Sequence, residues 1–260
     1  METPGRKLSK EEWASAVLLD PDTPGVWKVD ARTVAKSGNA TRPAEATTMQ
    51  LVRSKTSIPV PEVISTYVVE ETNEFCILME FVEGDVLRDV WDDGTEEWKN
   101  SIVDQLKGYM EELRSIKGEF IGPVDRTPCV DQFFQDHPGA FGPFGSEEEF
   151  HDGLIKAMRL SQDNVWVDMV AEFIKALPSH ETVLTHSDVA TRNIIVRDAK
   201  VVAILDWEFS GFYPAYWEYV KACYRPDWSS GWTKERVVER IMKQYTLEHA
   251  AILHTRDIIW

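Results

Sequence analysis

The segment His186-Ser187-Asp188-Val189-Ala190-Thr191-Arg192-Asn193 is followed, thirteen residues beyond its asparagine, by Asp206 in Ile204-Leu205-Asp206-Trp207-Glu208. Phosphoryl transfer needs one group to position an attacking hydroxyl and oxygen ligands for the magnesium ions that bridge the phosphates. Asp188 suits the first task, and Asn193 with Asp206 suits the second. Asn193 to Val196 and Val201 to Leu205 read as short apolar strands, joined by a turn at Asp198-Ala199-Lys200. Such a hairpin brings Asp188, Asn193 and Asp206 to one end of the same structure. Without any chemistry the three would be a cap, a turn residue and a strand end. Their order, the hairpin and the elements upstream agree with the chemical reading.

Those elements begin with strands at Val26 to Val29 and Thr33 to Lys36, separated by a turn at Asp30-Ala31-Arg32. Thr41 is placed to cap a helix over Pro43 to Ser54. Ile58-Pro59-Val60-Pro61 extends the chain, and strands follow at Ile64 to Val69 and Phe75 to Met79. After Glu83-Gly84 the pattern becomes helical. Thr95 opens a helix with Trp98, Ile102, Leu106, Tyr109, Met110 and Leu113 on one face. A loop spans Gly122 to Gly145, Ser146-Glu147-Glu148-Glu149 has capping-box spacing, and Asn164 to Ala176 is a further helix. Thr182 to Thr185 reads as a strand, and the chain beyond Leu205 as mostly helical. The expected fold class is α+β, with a small strand-rich N-lobe over residues 1–82 and a larger, mainly helical C-lobe over residues 83–260.

H-x-D-x-x-x-x-N followed by a metal-binding Asp is the signature shared by protein kinases and aminoglycoside-phosphotransferase-like kinases. The chain resembles the aminoglycoside phosphotransferase family, in its fungal branch, from about Val34 to Trp217. The resemblance rests on His186 to Asp206, on Thr56-Ser57-Ile58-Pro59-Val60-Pro61, on Met79-Glu80-Phe81-Val82-Glu83-Gly84 and on Gly211-Phe212-Tyr213-Pro214 running to Tyr216-Trp217-Glu218-Tyr219. It implies a protein-kinase-like two-lobed fold that uses ATP and Mg2+. Asp188 would be the catalytic base, Asn193 and Asp206 the magnesium ligands, and His186 a structural residue. Val34-Ala35-Lys36 resembles the strand ending in the phosphate-binding lysine, with Glu45 as its partner. Met79-Glu80-Phe81-Val82 would be the hinge, where backbone groups of Glu80 and Val82 meet the adenine edge. Two departures stand out. No glycine-rich loop precedes Lys36, since Thr23-Pro24-Gly25-Val26-Trp27-Lys28 holds a single glycine, and Ser187 occupies a usual glycine position. No A-P-E string follows Asp206, and the short run to Tyr213-Pro214 leaves no room for the activation segment of a protein kinase.

A formal charge of −16 argues against nucleic acid and anionic membrane surfaces as partners and suits a cationic substrate. No stretch is apolar enough for a membrane span, and Met1 to Lys10 lacks a signal-type apolar core. Three dispersed cysteines fit reduced thiols in the cytoplasm. Trp207, Glu208, Tyr213, Trp217 and Glu218 are candidates for a substrate wall able to hold an amine or a ring, with Asp131 and Trp260 further candidates. Two enzyme readings follow: an ATP-dependent phosphotransferase acting on a hydroxyl of a small metabolite, and a kinase-fold protein repurposed as a natural-product lyase, isomerase or cyclase. A non-catalytic binding protein is a third.

Overall fold

The computed structural model describes residues 5–19, 25–134 and 139–259. Its first part is an antiparallel sheet of β1 (Val17–Leu18), β2 (Val26–Lys28), β3 (Thr33–Ser37), β4 (Val63–Val68) and β5 (Phe75–Glu80), in the order β1-β2-β3-β5-β4. Val34 pairs with Met79 and Lys36 with Ile77, so these four share one face, while Ala35 and Leu78 share the other. Leu8 closes that outer face over Ala35, Cys76 and Leu78. The chain then enters α1 (Lys10–Ser15), started by a reciprocal Ser9–Glu12 capping box. Neither α1 nor the two-residue β1 was expected from the sequence, because both are too short to show a period.

The inner face carries α2 (Pro43–Lys55). Thr41 does not cap it. The N-cap is Arg42, which makes no side-chain cap bond, and proline in the first turn supplies the helical φ instead. Met49, Val52, Ile58 and Val60 join a core that runs without interruption to Phe150, Tyr213 and Trp217. Glu45, near the start of α2, is therefore fixed relative to the second part of the molecule.

That second part contains β6 (Asp85–Val86), α3 (Leu87–Val90), α4 (Glu96–Ser115), α5 (Glu147–Ser161), α6 (Val165–Lys175), β7 (Thr182–Thr185), β8 (Ile194–Arg197), β9 (Lys200–Ile204), β10 (Gly211–Pro214) and α7 (Trp217–Tyr224). It ends in α8 (Gly231–Lys234), α9 (Val237–Ile241), α10 (Thr246–Leu253) and α11 (Arg256–Ile259). Thr95, Ser146 and Asn164 each accept N–H bonds at the starts of α4, α5 and α6. The Glu149 carboxylate bonds to the N–H of Gly145 at 2.7 Å rather than to that of Ser146, so the expected box is shifted by one residue. Ile102, Leu106, Met110 and Leu113 are buried along α4.

The chain beyond Leu205 is mostly helical as expected, in α7 to α11, and β10 is a strand added to that expectation. This strand pairs antiparallel with β7, Gly211 opposite Thr185 and Pro214 opposite Thr182. A side chain at Gly211 would meet the Gly122 carbonyl oxygen at 2.5 Å, so the close approach requires glycine. The pairing fixes the segment after Asp206 against the strand that delivers His186. Cys76, Cys129 and Cys223 are free thiols. Among the described residues no helix is long and apolar enough to cross a membrane.

Candidate active site

β7 ends at Thr185, and the chain reverses through Ser187, whose φ of 64° is left-handed. A residue with a Cβ pays about 1–2 kcal/mol for that conformation, which is why glycine is usual there. The cost is offset locally. The Glu218 carboxylate, 1% exposed, accepts the N–H groups of His186 at 2.6 Å and Ser187 at 2.9 Å, and the Ser187 and Thr185 hydroxyls bond at 2.8 Å. Burial pushes the Glu218 carboxyl up, against the lowering pull of His186 and the two amides. Glu218→Gln puts an amide donor against one of two buried N–H groups, and the expected loss is about 1–3 kcal/mol of unfolding free energy in denaturant titrations. A stability unchanged from wild type would show that the carboxylate does not hold this turn.

His186 links the turn to the end of the β8–β9 hairpin. Its Nδ1 accepts the Asp188 N–H at 3.2 Å, so Nε2 carries the proton donated to the Leu205 carbonyl at 2.8 Å. Asp188 projects from the turn with its side chain 18% exposed. Arg192 forks onto it, with Nη2 2.6 Å from both carboxylate oxygens. The Asn193 amide nitrogen donates to the Asp188 backbone carbonyl at 2.9 Å and to Oδ2 at 2.7 Å. With its nitrogen spent on Asp188, Asn193 has its carbonyl oxygen left to offer a cation. Arg192 had no role in the sequence reading. Its position four residues after Asp188, within the 3-10 turn Thr191–Asn193, is the signal that points to it.

The β8–β9 hairpin closes as expected, with Ile194 opposite Ile204 and the Leu205 N–H bonding the Asn193 carbonyl at 2.7 Å. The next residue, Asp206, has a φ of 65°, which turns its carboxylate off the strand end. There it meets the sheet. Lys36 Nζ lies 2.7 Å from Asp206, 2.8 Å from Glu45 and 3.5 Å from Glu208. Burial alone would lower the Lys36 ammonium, but the three carboxylates outweigh it and hold it above the ordinary lysine value. Burial raises Glu45 to about 7 against the pull of Lys36, with Asp206 and Glu208 adding to the rise. Glu208 is raised by burial and then by Asp206. One ammonium thus faces three carboxylates, an excess of negative charge that a hard divalent cation would balance, and the uncommitted donors are the oxygens such a cation takes.

The remaining sequence candidates are distributed as follows. Glu208 sits in the charge cluster rather than on a substrate wall. Trp207, Tyr213 and Trp217 are fully buried, and Glu218 faces the His186–Ser187 turn, so these four build the lobe's interior. The reason is packing: Tyr213 stacks on Trp217 at 5.7 Å, and the Trp207 indole donates to the Ile204 carbonyl at 2.9 Å. Asp131 is also buried, paired with Lys221 at 3.0 Å. Trp260, Thr23 and Pro24 lie outside the described residues. Gly25 has a φ of 124° and its carbonyl accepts the Ser37 N–H at 2.8 Å. At the expected hinge the Glu80 N–H is taken by Glu62 at 2.9 Å, so Glu80 can offer a ligand only its carbonyl.

A sequence model of the phosphotransferase enzyme family matches residues 28–253, a span that includes every member of this cluster. The chain belongs to that family. No curated protein matches it. Among solved structures, this phosphotransferase-family chain is similar to a thermostable mutant of aminoglycoside phosphotransferase APH(4)-Ia in its apo form. Their TM-score is 0.61 at 16% identity, over 96% of this chain and 86% of the other. It is also similar to a ternary complex of a variant of that mutant with AMP-PNP and hygromycin B (TM-score 0.61, 16% identity, 90% and 79% covered). A third is the gentamicin complex of APH(2″)-IIa (TM-score 0.55, 15% identity, 90% and 76% covered). At these identities the likeness establishes the fold, which is the kinase-like fold of those enzymes.

Proposed function

We propose that the protein is an ATP-dependent phosphotransferase that acts on a hydroxyl of a small molecule, with residues 1–82 and 83–260 as the two lobes around the nucleotide. The observation that carries this reading is the convergence of Glu45 and Asp206 on the Lys36 ammonium, the latter across 170 residues of sequence, beside Asp188 held by Arg192 and Asn193. Structures of related fold containing AMP-PNP support the choice of nucleotide. The string Gly211 to Tyr219 supports the fungal branch, and free, dispersed cysteines support a cytoplasmic setting.

Asp188 aims at the acceptor and takes the hydroxyl proton as the oxygen attacks phosphorus. Arg192 and Asn193 fix the direction of that carboxylate. Lys36, steered by Glu45, neutralises phosphate charge, and the carbonyl of Glu80 with the N–H of Val82 faces the adenine edge. Asp206, the carbonyl of Asn193 and Glu208 are the residues that would hold Mg2+, which when bound neutralises charge on the transferring phosphates. The acidic surface and the aminoglycoside complexes of the related folds favour an amine-bearing, cationic acceptor, at a site which the buried Trp207, Tyr213, Trp217 and Glu218 support from behind.

Two measurements bear on the reading. Mg-ATP should raise the melting temperature of the wild-type protein by mass action, and Asp206→Ala should remove the part of that rise that depends on magnesium while leaving the unliganded fold intact. Equal Mg-ATP stabilisation of variant and wild type would exclude Asp206 as a metal ligand. A screen of hydroxyl-bearing amines for stoichiometric ADP release would identify the acceptor. Product formation in chelated, nucleotide-free buffer would replace the phosphotransferase reading with that of a lyase, isomerase or cyclase.

A further inference from the structure

The outer side of α6 carries Val165 at 74% exposure, Met169 at 46% and Phe173 at 42%, a spacing of four residues that forms one stripe on a helix. Leu247 on α10, 72% exposed, stands across a groove of about 350 Å³ lined by Phe173, Ala176, Leu177, Pro178, Leu247 and His254. An apolar ridge and an apolar groove thus lie side by side on one face, on a chain of net charge −16. Such a face marks an interaction site. The charged residues bordering the stripe indicate which partner fits. Glu172 and Lys175 are both exposed and lie on the same edge, three residues apart. When two copies of α6 meet antiparallel about a two-fold axis between residues 173 and 174, that edge stays on one side of both helices. Glu172 of each copy then faces Lys175 of the other. The same axis sets Phe173 beside its mate and directs Met169 toward the partner copy's Pro178 in the groove. Lys175 is available for this exchange, since its contact with Asp152 within the chain is 3.8 Å long between side chains that are each 62% exposed. Ridge and groove on one patch satisfy each other twice about a dyad, which closes the assembly at two copies.

We propose that the protein forms a homodimer through the α6–α10 face. This interface lies apart from the nucleotide site, and its test requires no ligand. Sedimentation equilibrium of the full chain at micromolar concentrations should show a monomer–dimer equilibrium. Phe173→Glu should weaken it by about 100-fold. Glu172→Lys or Lys175→Glu alone places like charges across the axis twice and should weaken association by about tenfold, whereas the double reversal should restore it. Melting curves of each variant check that the fold is kept. A wild-type chain that stays monomeric overturns the proposal, as does a dimer indifferent to Phe173→Glu. Failure of the double reversal to restore association overturns the antiparallel register. None of these results depends on whether the protein transfers phosphate.

Discussion

Asp188→Asn is expected to lower phosphoryl transfer by about 10²–10⁴-fold while Mg-ATP binding changes little. The proposed base is lost, but the residue is not among the proposed metal ligands. The substitution also disturbs the fork, because Arg192 reaches both carboxylate oxygens at 2.6 Å and an amide offers it only one acceptor. Arg192→Gln separates the two effects. It leaves the base in place and loosens only its aim, so its loss of turnover should be smaller than that of Asp188→Asn. The measurement is ADP release under saturating acceptor, with nucleotide affinity taken from calorimetry. Turnover of Asp188→Asn within a few-fold of wild type would remove Asp188 from the chemistry and leave the turn as a structural device.

The second large effect is expected at Lys36. Lys36→Met takes away the cation that offsets Glu45, whose side chain is 2% exposed, and leaving a buried carboxylate without its partner costs about 3–5 kcal/mol. In the proposed reaction it also removes a charge-assisted contact to phosphate, for an expected further loss of about 1.5–3 kcal/mol in nucleotide binding. The double variant Lys36→Met/Glu45→Gln distinguishes structure from function. Removing both charges should recover most of the stability, measured by denaturant titration, and none of the nucleotide affinity, measured by calorimetry. Recovery of both would mean that the lysine serves only the fold. If neither variant is destabilised, Glu45 is not held by Lys36 in solution.

The convergence of the proposed catalytic residues was legible in the sequence because their spacing is a backbone property. Asp188, Asn193 and Asp206 are brought together by a hairpin of two short strands, and strand period and turn chemistry are local signals. The pairing of Lys36 with Glu45 came instead from the family resemblance of Val34-Ala35-Lys36, and the fold places the two side chains 2.8 Å apart. The aromatic and acidic candidates after Asp206 were not legible. Trp207, Tyr213, Trp217 and Glu218 have the composition of a binding wall, and composition carries no information about which face of an element a side chain occupies. In the fold they turn inward, because β10 pairs with β7 and draws them into the core. That pairing joins segments 26 residues apart at their near ends, beyond the reach of any local pattern.

The sequence by itself determined the α+β class, the strand-rich beginning and helical continuation, and the meeting of Asp188, Asn193 and Asp206 at one end of a hairpin. Each follows from periodicity or from spacing within about twenty residues. Only the tertiary structure decided that Glu208 joins the charge cluster, that Glu218 holds the His186–Ser187 turn through two backbone amides, and that Arg192 clamps Asp188. It also showed that Ser187 is tolerated in a left-handed conformation because a buried carboxylate from α7 offsets the strain. These roles arise from contacts between elements distant in sequence. Their energies come from burial and charge, which exist only once the core has brought the elements together.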